Sequence, residues 1–428
     1  MKSLVNKLVL LFIFWDNIFL PINLGFDFKL NYLVMVGYIF YYMLTHSKIN
    51  LAIKNLVYFT IGVILFCGLN FYVGISRFLI TKQLVLISIT LVFSYLFINS
   101  YEFDLKKIFK DYIDIIFFAS IMVVVQIIGV TFNLNFLIDF SYLGFDTGGI
   151  VLNAPRGRFH SWFYEPSFMA YAFTPIVFVS SCKLFKIGNL ISKEKALFII
   201  VISLMTQSSI GFLGFLLSIS IIGFSKYPIF KRPVILFVVA FCFIIGSILI
   251  YRIPPVKLRV DHTIALFLNK NVTADDIVKT NLSTYALYSN YEITKMAFNK
   301  NPVFGTGIGT YELNYDTYLN KVIPDITWRE FHKLNRQDAN SLFFRILVEM
   351  GFFGVLFYLY FVLSRKLKYS ATIKTDSEQS LWIINNGIFV LIFLRLIRQG
   401  HYTMLGFILL ILIYLLSFKQ AKVIKATK

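Results

Sequence analysis

The chain is 428 residues long, 58% hydrophobic and only 15% charged, with a net charge of +19. A soluble domain carries roughly 25% charged residues, and the apolar residues here come in long blocks. That excludes an ordinary soluble enzyme. The lack of strict alternation excludes a membrane β-barrel. The basic balance, which in a soluble chain would point to nucleic acid, is the lysine and arginine excess that cytoplasmic loops of membrane proteins collect; no nucleic-acid partner is expected.

Lipid offers a backbone no partner outside a helix or a closed barrel, so each block of about 20 apolar residues reads as a span. In chain order, spans are expected near 8–24, 30–45, 52–69, 83–99, 112–130, 162–182, 195–206, 209–224, 233–251, 339–364, 380–398 and 401–419. The expected fold class is therefore all-α: a polytopic integral membrane protein of about 12 transmembrane helices, one transmembrane domain over 1–428. The 195–206 block is short, so 195–224 reads equally as a hairpin that does not cross fully. Lys2 and Lys7 precede the first block and no small-residue cleavage site follows, which marks a span and not a signal peptide. Cys67, Cys182 and Cys242 all fall in apolar blocks and read as small buried hydrophobes.

Charge sets the orientation. With the N-terminus in the cytoplasm, the clusters Lys106-Lys107-Lys110, Lys183 to Lys195, Lys226 to Arg232, Arg365 to Lys374 and Lys419 to Lys428 lie inside. The short outer loops hold Lys29, Arg77, Lys82, Arg156, Arg158 and Arg398. This bias places both termini inside and two large segments, 131–161 and 252–338, outside. Within the second, Tyr285, Tyr288, Tyr291 and Met296 recur at helical spacing, so 284–300 is expected as a helix along the membrane surface.

Candidate chemistry gathers on the outer side. Arg156-Gly157-Arg158-Phe159-His160 runs into Trp162-Phe163-Tyr164-Glu165-Pro166-Ser167, with Pro166 suited to a first helical turn. Arginine forks suit phosphate and the aromatics can stack on sugars; an interfacial belt with snorkelling arginines explains the same residues equally well. Asn301-Pro302-Val303-Phe304-Gly305-Thr306-Gly307-Ile308-Gly309 can cradle phosphate, but no βαβ unit surrounds it. A tight turn against neighbouring helices is the better reading, with Gly305 and Gly307 in support. Asp338-Ala339-Asn340-Ser341 opens a span in which Arg345 and Glu349 share a helix face. Intramembrane charge faces a partner or a cavity. Arg395, Arg398 and His401 sit at the turn between the last two spans. Asp16, placed mid-span, is a further intramembrane candidate. Asp275-Asp276 reads as solvated, and His262 and His332 lack metal-ligand spacing, so no metal or other cofactor is expected.

Three of these blocks, in this order, resemble the O-antigen polymerase and ligase superfamily: the arginine-rich loop ending in Phe163-Tyr164-Glu165-Pro166-Ser167, the 301–309 string, and Asn340-Ser341-Leu342 with Glu349-Met350-Gly351-Phe352-Phe353-Gly354. The span layout and the long late outer loop also fit. The resemblance implies a GT-C-like fold in a bacterial inner membrane, with 131–161 and 252–338 periplasmic. It implies a metal-independent glycosyltransferase whose substrate is an oligosaccharide on undecaprenyl diphosphate, with a chain-length regulator as a further partner. Ligase-like members place a His directly before the Asn that opens the late span; Ala339 stands there, which favours a polymerase. The spaced Arg-to-Gly repeats of some polymerases are missing, which cuts the other way. On this reading Arg156, Arg158, Arg345, Arg395 and Arg398 hold the diphosphate, and Glu165, then Asp338, are the candidate bases. His160, Glu349, Asn340, Gly305 and Gly307 support them. The alternatives are a ligase acting on lipid A core, a flippase for the same lipid-linked glycan, and a scaffold of the assembly machinery.

Overall fold

The structure, a computed structural model, describes residues 2–23, 27–45, 53–146, 158–226, 251–252, 254–268, 272–323, 333–369 and 375–426. In chain order its helices are α1 (Lys2–Phe14), α2 (Leu30–Thr45), α3 (Ile53–Val73), α4 (Arg77–Ser100), α5 (Leu105–Phe132), α6 (Asn135–Ile138), α7 (Pro166–Leu184), α8 (Lys193–Met205), α9 (Ser209–Lys226), α10 (Pro254–Leu268), α11 (Ala274–Val278), α12 (Leu282–Lys300), α13 (Tyr311–Val322), α14 (Leu342–Ser364), α15 (Asp376–Ile397) and α16 (Phe407–Ala426). Among the described residues, seven helices are long and apolar enough to cross a membrane, and the apolar stretches Leu4–Phe14, Leu30–Thr45 and Ile61–Val73 are shorter. The chain is an all-α polytopic membrane protein, as its composition requires. The expected span 233–251 lies outside the described residues, apart from Tyr251.

Local sequence sets the helix limits. Ser76, Asp104, Ser341 and Thr375 cap α4, α5, α14 and α15 by accepting from backbone N–H groups of the first turn, the role short oxygen-bearing side chains fill best. Thr375 and Glu378 form a reciprocal capping box. Glu165 takes the N-cap position of α7 with Pro166 in its first turn, as the sequence led us to expect. In the hairpin of α8 and α9 the short α8 is followed by a turn at 206–208.

The first expected span is corrected. Residues 8–24 do not form one helix: α1 stops at Phe14, and a two-stranded antiparallel hairpin, β1 (Phe19–Asn23) with β2 (Asp27–Lys29), follows. Asp16 and Asn17 compete for backbone hydrogen bonds in non-helical conformations, and Pro21 removes a helical donor. Asp16 therefore sits in a turn beyond the helix and not mid-span.

Helices α7 and α15 form the centre of the bundle, with 78% and 83% of their apolar windows buried, against 28% for α9. They meet closely at Gly387, where an added Cβ would fall 2.9 Å from the Pro175 carbonyl oxygen. Lysine-rich ends come together on one side. Lys7 pairs with Asp111 at 3.2 Å and Asp114 at 2.9 Å, Lys195 reaches Asp114 at 3.3 Å, and Lys106 pairs with Asp376. The segments expected to lie inside thus share a face.

The long loop segment builds a second core. Tyr285 and Tyr288 of α12 bury against Tyr311, Tyr315 and Tyr318 of α13, with Leu266 and Ile277. The expected 284–300 helix exists, but these two tyrosines of its stripe face protein rather than a membrane surface. Asp276 caps its own helix through Thr273, and Asp275 pairs with Lys279, so both serve local structure.

Candidate functional site

Helix α14 is broken where the chemistry begins. Gly351 adopts φ 66°, ψ −163° inside it, detaching a short N-terminal piece that carries Arg345 and Glu349. The freed backbone groups are taken up by the 301–309 string. Thr306 N–H donates to Val348 O at 3.0 Å and Gly307 N–H to Glu349 O at 2.9 Å. Phe352 N–H returns to Pro302 O at 2.9 Å. Non-helical backbone at membrane depth survives only when protein satisfies it in this way. Contact is tight enough that a Cβ on Gly305 would lie 2.5 Å from the Glu349 and Met350 backbone, and one on Gly351 2.4 Å from Val303 O. Both glycines have positive φ. The string is a structural turn, the reading its residues favoured, and Gly305 and Gly307 act through it.

Against this broken helix lies a cavity of about 270 Å³. Its charged and polar lining comes from Asp16, Lys29, Lys82, Gln83, Glu312, Gln337, Arg345, His401 and Tyr402, and Phe14, Phe19, Leu79, Leu86, Phe163 and Phe168 add apolar wall. Arg345 is 5% exposed and held at each of its three nitrogens. Its Nε donates to Glu349 Oε1 at 3.0 Å, Nη1 to Gly400 O and Nη2 to Gln83 Oε1, each at 3.1 Å. The guanidinium also lies 4.3 Å from the Tyr402 ring centroid. Glu349, wholly buried, also accepts from Tyr402 Oη at 2.7 Å and Tyr311 N at 3.2 Å.

Asp338 and His401 meet at the mouth of α14. The His401 Nε2 lies 3.5 Å from Asp338 Oδ2, with 29% of the histidine side chain still exposed and 5% of the aspartate's. Burial, with Arg345 and Lys29 nearby, pushes the His401 imidazole well below the ordinary histidine range. A neutral ring with an accepting nitrogen follows at neutral pH. Burial pushes the Asp338 carboxyl up. Asn340 joins them, with positive φ, its carbonyl accepting from Gln399 N–H at 2.8 Å.

Among the described residues the expected cluster of guanidiniums does not assemble. Arg156 lies outside the described residues. Arg158 is exposed and does not line the cavity. Arg398 caps the end of α15 and donates to Ser283 Oγ at 3.1 Å. Arg395 is completely buried behind the turn, its Nη1 and Nη2 donating to His401 O at 2.9 Å and Met404 O at 2.8 Å. Of the four that the structure describes, Arg345 alone lines the cavity. The physical reason is the turn itself: residues 398–405 fold back over Arg395, and their carbonyls capture it. Glu165 is half-buried, accepts from Ser167 Oγ, and flanks the cavity residues Tyr164 and Phe163. His160 is 2% exposed, its Nδ1 on Phe163 O, and burial lowers its pKa to about 4. It holds the loop as a neutral ring.

Sequence reasoning passed over Lys29, Lys82, Gln83, Glu312 and Tyr402. Lys29 and Lys82 carried a signal, being among the few cations of the short outer loops. Gln83, Glu312 and Tyr402 carried none, because only packing brings α4, α13 and the 398–405 turn together. A family model described as O-antigen ligase matches residues 196–359. No curated protein matches the chain.

Proposed function

Taking as premise the membership of the O-antigen polymerase/ligase superfamily that this match supports, we propose that the chain transfers a glycan from undecaprenyl diphosphate to the next lipid-linked repeat unit in the cavity beside Arg345. The superfamily brings an O-antigen polymerase/ligase-type function in a membrane; the polymerase, its periplasmic face and the residue roles are our reading. The observation that carries it is that Arg345 and His401 line one cavity.

In the reaction the bond from the anomeric carbon to the diphosphate oxygen breaks, and its electron pair leaves with the lipid diphosphate. The acceptor hydroxyl forms the new bond and gives up its proton. A fixed guanidinium stabilises the charge growing on the leaving group, and Arg345 is held by Glu349, Gln83 and Gly400 so that little reorganisation is needed. Lys82 adds a second cation on the cavity wall. His401, backed by Asp338, takes the proton. Glu165, beside Tyr164 at the cavity edge, is the second candidate.

The ligase reading is favoured by two specific observations. The matched family model is described as O-antigen ligase, and a histidine does reach the 338–340 turn, its Nε2 3.5 Å from Asp338 Oδ2, delivered by position 401 and not by 339. The deciding experiment is a purified-protein assay offering lipid-linked repeat units alone, or with lipid A core. Products of two or more repeats with repeat units alone support polymerisation; product only with lipid A core supports ligation. His401→Gln is expected to lower transfer at least about 100-fold, in the range of general base catalysis. Wild-type turnover from that variant would remove the histidine's role.

A further inference from the structure

Residues 398–405 carry His401 and Tyr402 into the cavity, and their backbone is bound from several directions. Tyr171 Oη donates to Arg398 O at 2.7 Å, Gln399 N–H donates to Asn340 O, and Arg345 and Arg395 hold the next carbonyls. The far end of the turn is harder to hold. Leu405 has φ 54° and Gly406 φ 66°, and for leucine the left-handed region is unfavourable. The Leu405 N–H donates to Asp16 Oδ2 at 3.1 Å.

Asp16 is itself fixed. It is 4% exposed, and Oδ1 accepts from Lys29 Nζ at 3.2 Å and Asn31 Nδ2 at 2.8 Å. The hairpin from β1 to β2 brings Lys29 back onto the turn that follows α1. A carboxylate near the start of the chain, neutralised by a lysine on that hairpin, thus reaches a backbone N–H 389 residues away. The charge of Lys29 is spent within the pair.

We propose that Asp16 is a positioning residue that holds the 398–405 turn in its strained form and so aims His401 into the cavity. The geometry is independent of the reaction; only the turnover arm of the test rests on the reading of His401 above. Removing Asp16 alone would strand a buried Lys29 charge, so the informative variants remove both charges. Asp16→Asn/Lys29→Met keeps an oxygen acceptor for Leu405 N–H. Asp16→Ala/Lys29→Met does not.

The two variants of the full chain, purified in detergent, are compared with wild type by NMR of 13Cε1-labelled histidine. The chain has 5 histidines, and the His401 signal is identified by its loss in His401→Gln. In Asp16→Ala/Lys29→Met the His401 signal is expected to shift or broaden while that of buried His160 stays. Turnover of lipid-linked repeat units is expected to fall at least about tenfold in kcat, with KM within about threefold. Asp16→Asn/Lys29→Met restores both readouts. An unmoved His401 signal in the alanine variant overturns the proposal, as does equal displacement in both variants. A displaced signal with undiminished turnover upholds the clamp and overturns the catalytic role of His401 instead.

Discussion

Two buried arginines lie near the same face of the bundle, Arg345 in the first turn of α14 and Arg395 in the last turn of α15. Both are desolvated, and both were expected to hold a lipid diphosphate. Their surroundings differ. Arg345 is neutralised by Glu349 and laid over Tyr402, and it forms part of a cavity wall. Arg395 rests 4.2 Å from the Phe407 ring centroid and donates to backbone carbonyls of the turn above it. A buried guanidinium is an organiser of backbone where a chain folds over it, and a candidate for chemistry where space is left beside it. Depth in the membrane and residue type do not separate the two cases; the path of the following loop does.

The sharpest break of this comparison removes Arg345. Arg345→Ala leaves Glu349 buried and unpaired, which costs about 3–5 kcal/mol. Loss of extension in that variant alone would thus mix folding with chemistry. We expect Arg345→Ala/Glu349→Ala to recover most of the thermal midpoint in detergent yet remain about 100- to 1000-fold slower in repeat-unit transfer, the size of effect a fixed transition-state donor supplies. Recovery of transfer along with stability would make Arg345 structural, like Arg395.

The glycine pair beneath Arg345 comes next. Gly305→Ala and Gly351→Ala each combine a positive φ with a Cβ inside 2.6 Å of backbone. Each is expected to destabilise by about 3 kcal/mol from strain and overpacking together, seen as loss of monodisperse protein on heating. A stable Gly351→Ala would mean that the break in α14 is not required.

Arg395→Met tests the other side. Its apolar neighbours accept methionine, but two charge-assisted hydrogen bonds are lost, at about 1.5–3 kcal/mol each before the relief of desolvation. Thermal stability should fall by about 2 kcal/mol net, and turnover should fall with it, since the freed carbonyls belong to His401 and Met404.

The pH profile is gentler. His401 sits well below its ordinary range, so the base form persists to lower pH than for a free histidine, and transfer should be flat from neutrality upward. It should decline only as pH falls below the usual histidine range. A limb centred at or above 6.5 would contradict a half-buried, cation-flanked ring. Stability carries a separate acid limb from His160. Its folded pKa of about 4 lies under its unfolded value, so the unfolded state binds more protons between the two, and stability is lost as pH falls through that window. His160→Gln should flatten that limb. The smallest effect belongs to Arg158→Ala, expected within about 0.5 kcal/mol of wild type in stability, as for exposed sites, and within a few-fold in transfer.

Much of the fold was legible because lipid is a severe solvent. Any chain this apolar must satisfy its backbone internally, so α4, α5, α7, α9, α14, α15 and α16 could be placed from composition alone. The turn nature of 301–309 and the Glu165-Pro166 helix start were legible for local reasons, glycine freedom and proline geometry. The hairpin at 19–29 was not, because Phe19, Leu20 and Ile22 continue the apolar run of α1 in sequence and so look like part of one span.

Residue types and their spacing determined that this protein lives in a membrane and which helices are long and apolar enough to cross it. Tertiary structure alone decided which charges share a cavity. Asp16 and Lys82 come from one end of the chain and Arg345 and His401 from the other, hundreds of residues away, and electrostatics between them depends on distances that no helical or strand period encodes. The same packing turned Arg395 inward, since the buried guanidinium found its donors' partners in the carbonyls of a turn that Tyr171, Asn340 and Asp16 bind from distant parts of the chain.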